Sequence, residues 1–306
     1  MGRVELPEEL GDGPFTVGRA RAAGLRGGDL RALHRPTRAV RMLARPGSLV
    51  ERATAFAVAL PPDAAFSHAT AARLLGLPLP AALESEVLLD VMRPTGRSRT
   101  RRAGCRGHRG LESREVVLCH GVRVVGGADT WCDLGELPGG SMTVDDLVVA
   151  ADALLGPPHP LAVGTLSAAL ERRVRPRGRG ALLDALTLAR RGSRSPMETR
   201  ARLMFVRAGF PEPEVNGMVR DANGGWLLEG DLVWRRQRVV GEYQGEVHAD
   251  RRRRSSDAQR AGLARDEGWT VLELWAEDIW SPPRRRTTLR RFAGALGVDP
   301  ATLRIE

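Results

Sequence analysis

The sequence predicts an α+β protein in several parts. A short helix-turn-helix with an extended pair occupies 1–47, a mixed α/β middle with a helical linker runs over 48–190, and an α/β region covers 191–306. Three observations predict this. The chain has 306 residues, 42% of them hydrophobic, which suffices for a real core and, at roughly 100–200 residues per domain, for more than one. Helical and period-two hydrophobic patterns alternate along the chain, and neither runs throughout. Two basic stretches, RPTGRSRTRRAGCRGHRG and RRVRPRGRG, break up the middle.

Arginine supplies every basic charge. The 47 Lys+Arg residues include no lysine, and against 37 acidic residues they leave a net charge of +10. A surplus of that size favours polyanionic partners, either nucleic acid or an anionic membrane surface. Schiff-base and P-loop lysines are excluded outright. No apolar run approaches the 18 or so residues of a membrane span, and the start MGRVELPEELGDG lacks the features of a signal peptide, so a cytoplasmic protein is expected. Cys105, Cys119 and Cys132 are far apart with no C-x-x-C pair, which excludes a disulfide scaffold and a structural zinc.

In the first region, Thr16–Ala23 and Gly28–His34 carry short apolar faces around the turn Gly24-Leu25-Arg26. Pro36–Pro46 alternates around Val40, Met42 and Leu43 like a β-wing, so the segment reads as a winged helix-turn-helix. Arg26, Arg31, Arg35 and Arg38 would meet phosphates there, or form an ordinary solvated basic surface. The middle predicts helices at Ser48–Ala59, Ser67–Leu75 and Ala128–Leu134, with Ser67 and Asp129 helping to set helix starts. Strands are expected at Glu86–Met92, Val116–Cys119 and Val122–Val125, and further helices at Val144–Leu155, Val163–Arg173 and Gly180–Arg190. The arginine-rich 93–109 stretch, with Arg97, Arg99, Arg101 and Arg102, predicts an exposed loop or edge hairpin suited to DNA. Residues 172–180 read as a basic linker.

The last region is the most legible. Ser195-Pro196-Met197-Glu198 opens a helix with Ser as N-cap, Pro in the first turn and Glu closing a capping box; the helix stops at Gly209. Strands follow at Glu214–Val219, Trp226–Trp234 and Arg238–Tyr243. A helix at Ser256–Glu267, a strand at Trp269–Trp275 and a helix at Arg284–Leu296 complete the order α-β-β-β-α-β-α. Trp226, Trp234, Trp269, Trp275 and Trp280 are expected to pack around the sheet, with base stacking the alternative for one of them, and the histidines at 34, 68, 108, 120 and 159 show no metal-ligand spacing.

That order gathers three acids: Glu198 on the first helix, Asp231 late in the second strand, and Glu242 late in the third. Alternation puts Glu242 and Gln244 on one face and turns Tyr243 to the other. Carboxylates from adjacent strand ends suit a hard cation such as Mg²⁺, which can activate water and neutralise a phosphodiester under attack. An acid among Leu232, Val233 and Trp234 is costly to bury unless paired or metal-bound.

Glu198, Asp231 and Glu242-Tyr243-Gln244 together resemble the PD-(D/E)XK restriction-endonuclease-like superfamily. More narrowly, SPMETR, GDLVW, VVGEYQGEVH and SSDAQRAGLARDEGW are similar to the Vsr-like (very-short-patch-repair-like) endonuclease domains common in actinobacterial proteins, over about residues 193–280. The resemblance implies an αβββαβ core and a Mg²⁺ (or Mn²⁺) ion held by Asp231, Glu242 and the Tyr243 carbonyl. It implies that Glu198 is an outer ligand or orients a metal-bound water, and that Gln244 stands at the motif's lysine position. His248, Asp257 and Arg260 match positions commonly polar in these domains. Glutamine lacks the charge of lysine, and the cysteines of the Vsr zinc site are missing, so mismatch specificity does not transfer. At the N-terminus, FTVGRARAAGLRGGDLRALHR, FSHATAARLLGLPLP and GVRVVGGADTWCDLG resemble AbiEi-type antitoxins of toxin–antitoxin systems, over roughly 14–150.

Each residue also has a plainer reading. Glu198 serves as a helix cap, Gln244 and His248 as strand-end and loop residues, Asp257 and Arg260 as an i,i+3 pair, and Arg251, Arg252, Arg253 and Arg254 as a solvated run beside the site or a clamp on phosphates. The expected function is a Mg²⁺-dependent DNA endonuclease-like phosphodiesterase. The alternatives are a DNA-binding regulator or antitoxin-like protein with an inert nuclease fold, and a structural interaction module.

Overall fold

A computed structural model describes residues 5–137, 139–157, 160–244 and 262–305. The chain is α+β, with three sheets among the described residues. It divides into two compact units, one formed by 1–147 with 164–183 and the other by 148–163 with 184–306.

The first unit opens with β1 (Phe15–Thr16), α1 (Val17–Ala22), α2 (Gly27–Ala32) and β2 (Val40–Arg41). Thr16 caps α1 by accepting the Arg19 N–H at 3.2 Å, and β1 pairs antiparallel with β2. Phe15, Ala20, Leu30 and Leu33 close a small core beneath them. There follow α3 (Leu49–Ala57), β3 (Ala65–Phe66), α4 (His68–Leu74), α5 (Ala81–Glu84), β4 (Leu89–Arg93), β5 (Cys105–Arg109), β6 (Val116–Cys119), β7 (Val122–Val125) and α6 (Gly127–Gly135). The five strands form one mixed sheet, in the order β5-β4-β3-β7-β6. Its core gathers Phe56, Phe66, Leu74, Leu89, Val91 and Val124.

Three expectations change in this unit. Of the two forms expected for the arginine-rich stretch, the hairpin is not formed, because β5 runs parallel to β4; residues 94–104 are the mostly exposed loop that crosses to the sheet's edge. Asp129 does not set the start of α6. Its buried carboxylate accepts the Glu115 N–H at 2.8 Å and pairs with Arg172 and Arg173. The supposed linker therefore begins with Arg173 locked between Asp129 and Asp133, at 3.1 and 3.0 Å, because a buried guanidinium needs carboxylates around it. Helices α7 (Val144–Leu155), α8 (Val163–Glu171) and α9 (Arg179–Leu188) lie where helical periodicity put them; α7 from residue 148 and α9 from residue 184 belong to the second unit.

The second unit holds α10 (Pro196–Ala208), β8 (Glu214–Arg220), β9 (Trp226–Trp234), β10 (Val239–Gln244), a helix α11 at 262–266, β11 (Thr270–Trp275), α12 (Ala276–Trp280) and α13 (Pro282–Leu296). The sheet order is β11-β10-β9-β8. The β8-β9-β10 meander is antiparallel, and β11 joins parallel to β10. Helix α11 lies in the connection between those parallel strands, whose residues 245–261 are outside the described residues. One face packs Phe205, Trp234, Leu274 and Phe292; the other packs Val219, Val233, Val240 and Ala264. The tryptophans do not all join these cores. Trp226, Trp275 and Trp280 are exposed, and Arg200 lies over the Trp280 ring.

Candidate functional site

Ser195 starts α10 by accepting the Glu198 N–H at 3.2 Å. Glu198 does not return the favour to Ser195, as a capping box would require. Its Oε2 accepts the Arg194 N–H at 2.8 Å and the Asn216 Nδ2–H at 2.7 Å. Asn216 also donates to the Gly192 carbonyl at 2.8 Å, so β8 and the approach to α10 hold the glutamate together. Both bonds to Glu198 fall on one carboxylate oxygen. Capping and a second role for Glu198 therefore compete less than the sequence suggests.

Asp231 lies half-buried in β9, between buried Gly230 and Leu232. Leu228 and Val233 share one core cluster although they are an odd five positions apart, while Leu232 and Trp234 belong to the other. Strict alternation therefore slips by one residue near Asp231. The partner strand carries the matching irregularity. Asn216 has φ 50°, and the pairing passes from Val215↔Leu232 to Gly217↔Gly230 around it. Such a slip re-aims a side chain without breaking the sheet. Asp231 Oδ2 accepts the Tyr243 N–H at 2.7 Å, reaching β10 just where the β9–β10 ladder ends at Gly241↔Leu232.

Burial is the main cause that pushes the Asp231 carboxyl up to about 6. The Tyr243 N–H and Arg194 oppose the shift, while the charges of Glu198 and Glu229 add to it. Glu229 is held by Arg194 through two bonds, at 2.8 and 2.6 Å. Acidic groups from α10 and β9 thus act on one another electrostatically.

Glu242 and Gln244 are half-buried at the end of β10, and Tyr243 packs toward the Phe205–Phe292 core. The Glu242 Oε1 lies 3.6 Å from where a side chain on Gly230 would begin. The structure so brings Asp231 to the backbone of Tyr243 and Glu242 to the backbone of Gly230, along one strand pair. Among the described residues, no group of three His, Cys, Asp or Glu side chains could hold a metal ion. His248, Arg251, Arg252, Arg253, Arg254, Asp257 and Arg260 lie outside the described residues.

The other arginines divide into free and committed. Arg26, Arg31, Arg35 and Arg38 are exposed in the first unit, as are Arg99 and Arg101. Arg97 is exposed but sits 3.5 Å from Asp63. Arg102 is structural: it donates to the carbonyls of Arg38 at 2.7 Å and Ala59 at 3.1 Å. Sequence reading missed Asn216, which holds Glu198. It also missed a cluster of Asp90, His68 and His108 in the first unit. The signal for Asp90 was available, since an acid inside LLDVM is as costly to bury as one inside GDLVW.

No family model matches the chain, and no solved structure matches it. Among curated proteins it is similar to "Uncharacterized protein MT2308" of Mycobacterium tuberculosis strain CDC 1551 / Oshkosh and "Uncharacterized protein Rv2248" of strain ATCC 25618 / H37Rv. Each is 30% identical over 143 residues, which is 42% of this chain and 52% of the relative. The chain thus matches only about half the length of these relatives.

Proposed function

We propose that the protein is a divalent-metal-dependent phosphodiesterase acting on DNA, with the αβββαβ core of the restriction-endonuclease-like superfamily in its second unit. The observation that carries this reading is Asp231, an acid half-buried in β9 whose carboxylate reaches the Tyr243 N–H beside Glu242. The donors fit a hard cation: Asp231, Glu242 and the Tyr243 carbonyl offer oxygen only, and such an ion would keep several waters as its remaining ligands. Bound there, Mg²⁺ or Mn²⁺ would supply Lewis-acid stabilisation of charge on phosphorus. Burial already disfavours the ionised form of Asp231, and a cation would relieve that penalty. Glu198, with both its bonds on Oε2, and Gln244, with an amide that donates and accepts, would orient water. The exposed arginines Arg26, Arg31 and Arg101 would contact the DNA backbone.

Cleavage of labelled single- and double-stranded DNA with Mg²⁺ or Mn²⁺ tests this directly, comparing wild type with Asp231→Ala and Glu242→Ala. Cutting by wild type alone, abolished by EDTA, is the expected result. A second reading, a winged-helix DNA-binding regulator, is favoured by the exposed Arg26 and Arg31 at and within α2 and by glutamine at 244. DNA binding that is equal in all three proteins, with no cutting by any, would select it.

A further inference from the structure

In the first unit, Asp90 is wholly buried in the middle strand β4, and His108 lies on the neighbouring edge strand β5. Asp90 Oδ1 bonds the His108 Nε2 at 2.8 Å, while Oδ2 has no hydrogen-bond partner among the described residues. A buried carboxylate so placed fixes the ring and tautomer of its histidine. Against that ring lies His68, its centroid 3.8 Å away and its plane tilted by 23°. His68 begins α4 with φ 48°, a left-handed conformation rare for a residue with a side chain and concentrated at functional sites. Its Nδ1 lies 3.0 Å from the Ser67 hydroxyl. Burial first, and His108 second, push its pKa down to about 3, so the ring is neutral.

Both histidines line a cavity of about 480 Å³, together with Arg99, Arg109 and Arg177. Two further arginines on its wall are already satisfied, Arg106 by Glu86 and Asp90 and Arg114 by Asp133. Glu136 is also on the wall, and burial followed by the charge of Asp133 raises its pKa toward the neutral form. The side chains of Arg99, Arg109 and Arg177 make no hydrogen bond or ion pair among the described residues. These three exposed arginines therefore stand along one cavity wall with guanidinium groups open to an anion. Their planar forks match phosphate oxygens, and the volume falls within the range of small-molecule sites, about 300–1,000 Å³.

We propose that this cavity is a phosphate-monoester site, in which Arg99, Arg109 and Arg177 hold the phosphate beside the Asp90-oriented His108. The source is either a phosphorylated small molecule, such as a nucleoside monophosphate, or the 5′-phosphate of a strand. The site lies wholly within the first unit and does not depend on the nuclease reading, since no residue of the Asp231 site takes part.

Calorimetric titration of the full chain tests the proposal, with inorganic phosphate, adenosine 5′-monophosphate, a short 5′-phosphorylated oligonucleotide and its unphosphorylated twin as probes. The phosphorylated probes should bind, and Arg109→Ala or Arg177→Ala should weaken them about tenfold. Arg109→Lys, which keeps the charge but loses the fork, should recover only part of the loss. Preference for the mononucleotide or for the phosphorylated strand would support the site and name its source. Three outcomes would overturn it: no binding of any phosphorylated probe, binding of inorganic phosphate and the mononucleotide that Arg109→Ala and Arg177→Ala leave unchanged, or an equal loss in Arg45→Ala, which removes an exposed charge away from the cavity wall.

Discussion

Asp231 shows how one residue can oppose stability. Its carboxyl is raised from 3.8 to about 6, so the folded state favours the protonated form. That contribution is fully present below pH 3.8 and is lost as pH rises through about 6. Near neutral pH the ionised group then costs about 3 kcal/mol. Asp231→Asn keeps an acceptor for the Tyr243 N–H and removes the charge. It should raise the melting temperature of metal-free protein at pH 7 by a few degrees, give no gain at pH 3.5, and abolish cleavage. A lower melting temperature at pH 7 would contradict this account. His68 works in the other direction. Its pKa falls from 6.5 to about 3, so the stability it contributes is present above pH 6.5 and is lost as pH falls toward 3. The acid limb of denaturant unfolding should therefore steepen by up to about 1.4 kcal/mol per pH unit, and His68→Gln should flatten it.

At the scale of elements, α10 owes its place to a buried ion pair. Arg202, fully buried, donates to Asp152 at 3.0 Å on α7, to Glu212 at 2.9 Å and to the Leu188 carbonyl at 2.8 Å. Asp152 also accepts the Thr199 hydroxyl at 2.9 Å and the Arg190 N–H at 2.7 Å. Arg202→Ala should cost about 3–5 kcal/mol in urea unfolding, because it strands Asp152 in the interior; a cost below 1 kcal/mol would show that water replaces it. The sheet offers a sharper test. A Cβ on Gly230 would collide with Val240 and lie 3.0 Å from Val233. Gly230→Ala should destabilise by about 1–3 kcal/mol, and Val240→Ala in the same chain should recover part of that loss. Additive losses in the double variant would refute the clash. The ends of α10 were readable in advance, since Ser195 and Gly209 are local signals. The glutamate's actual partners were not, because Asn216 reaches it from a different strand.

For the whole molecule, charge is the dominant property. A net charge of +10 carried entirely by arginine should make DNA binding strongly salt-dependent. The logarithm of affinity should fall by about 0.9 per phosphate contact for each unit of log salt. Arg26→Ala with Arg31→Ala should reduce that slope by about two if both meet phosphates, as fluorescence anisotropy over a salt series would measure. No described helix is long and apolar enough to cross a membrane.

The order α-β-β-β-α-β-α, apart from the unforeseen short helix α12 and the 256–261 part of the expected helix that lies outside the described residues, and most helix limits were legible because hydrophobic period, caps and glycine stops act over a few residues. The placement of Glu198, Asp231 and Glu242 on their respective elements was legible for the same reason. Other features depended on residues far apart in the chain. The parallel crossover that turned 93–109 into a sheet edge, the burial of Arg173 between Asp129 and Asp133, and the commitment of Arg102 to backbone carbonyls are of this kind. A charged side chain looks the same in sequence whether it faces solvent or a carboxylate 40 or so residues away. Only tertiary structure decides, because it fixes which charges lose water and which opposite charges or dipoles replace it. The stacking of His68 on His108 belongs to this second group: no spacing in the sequence announces it, and the fold alone brings strand, helix and ring together.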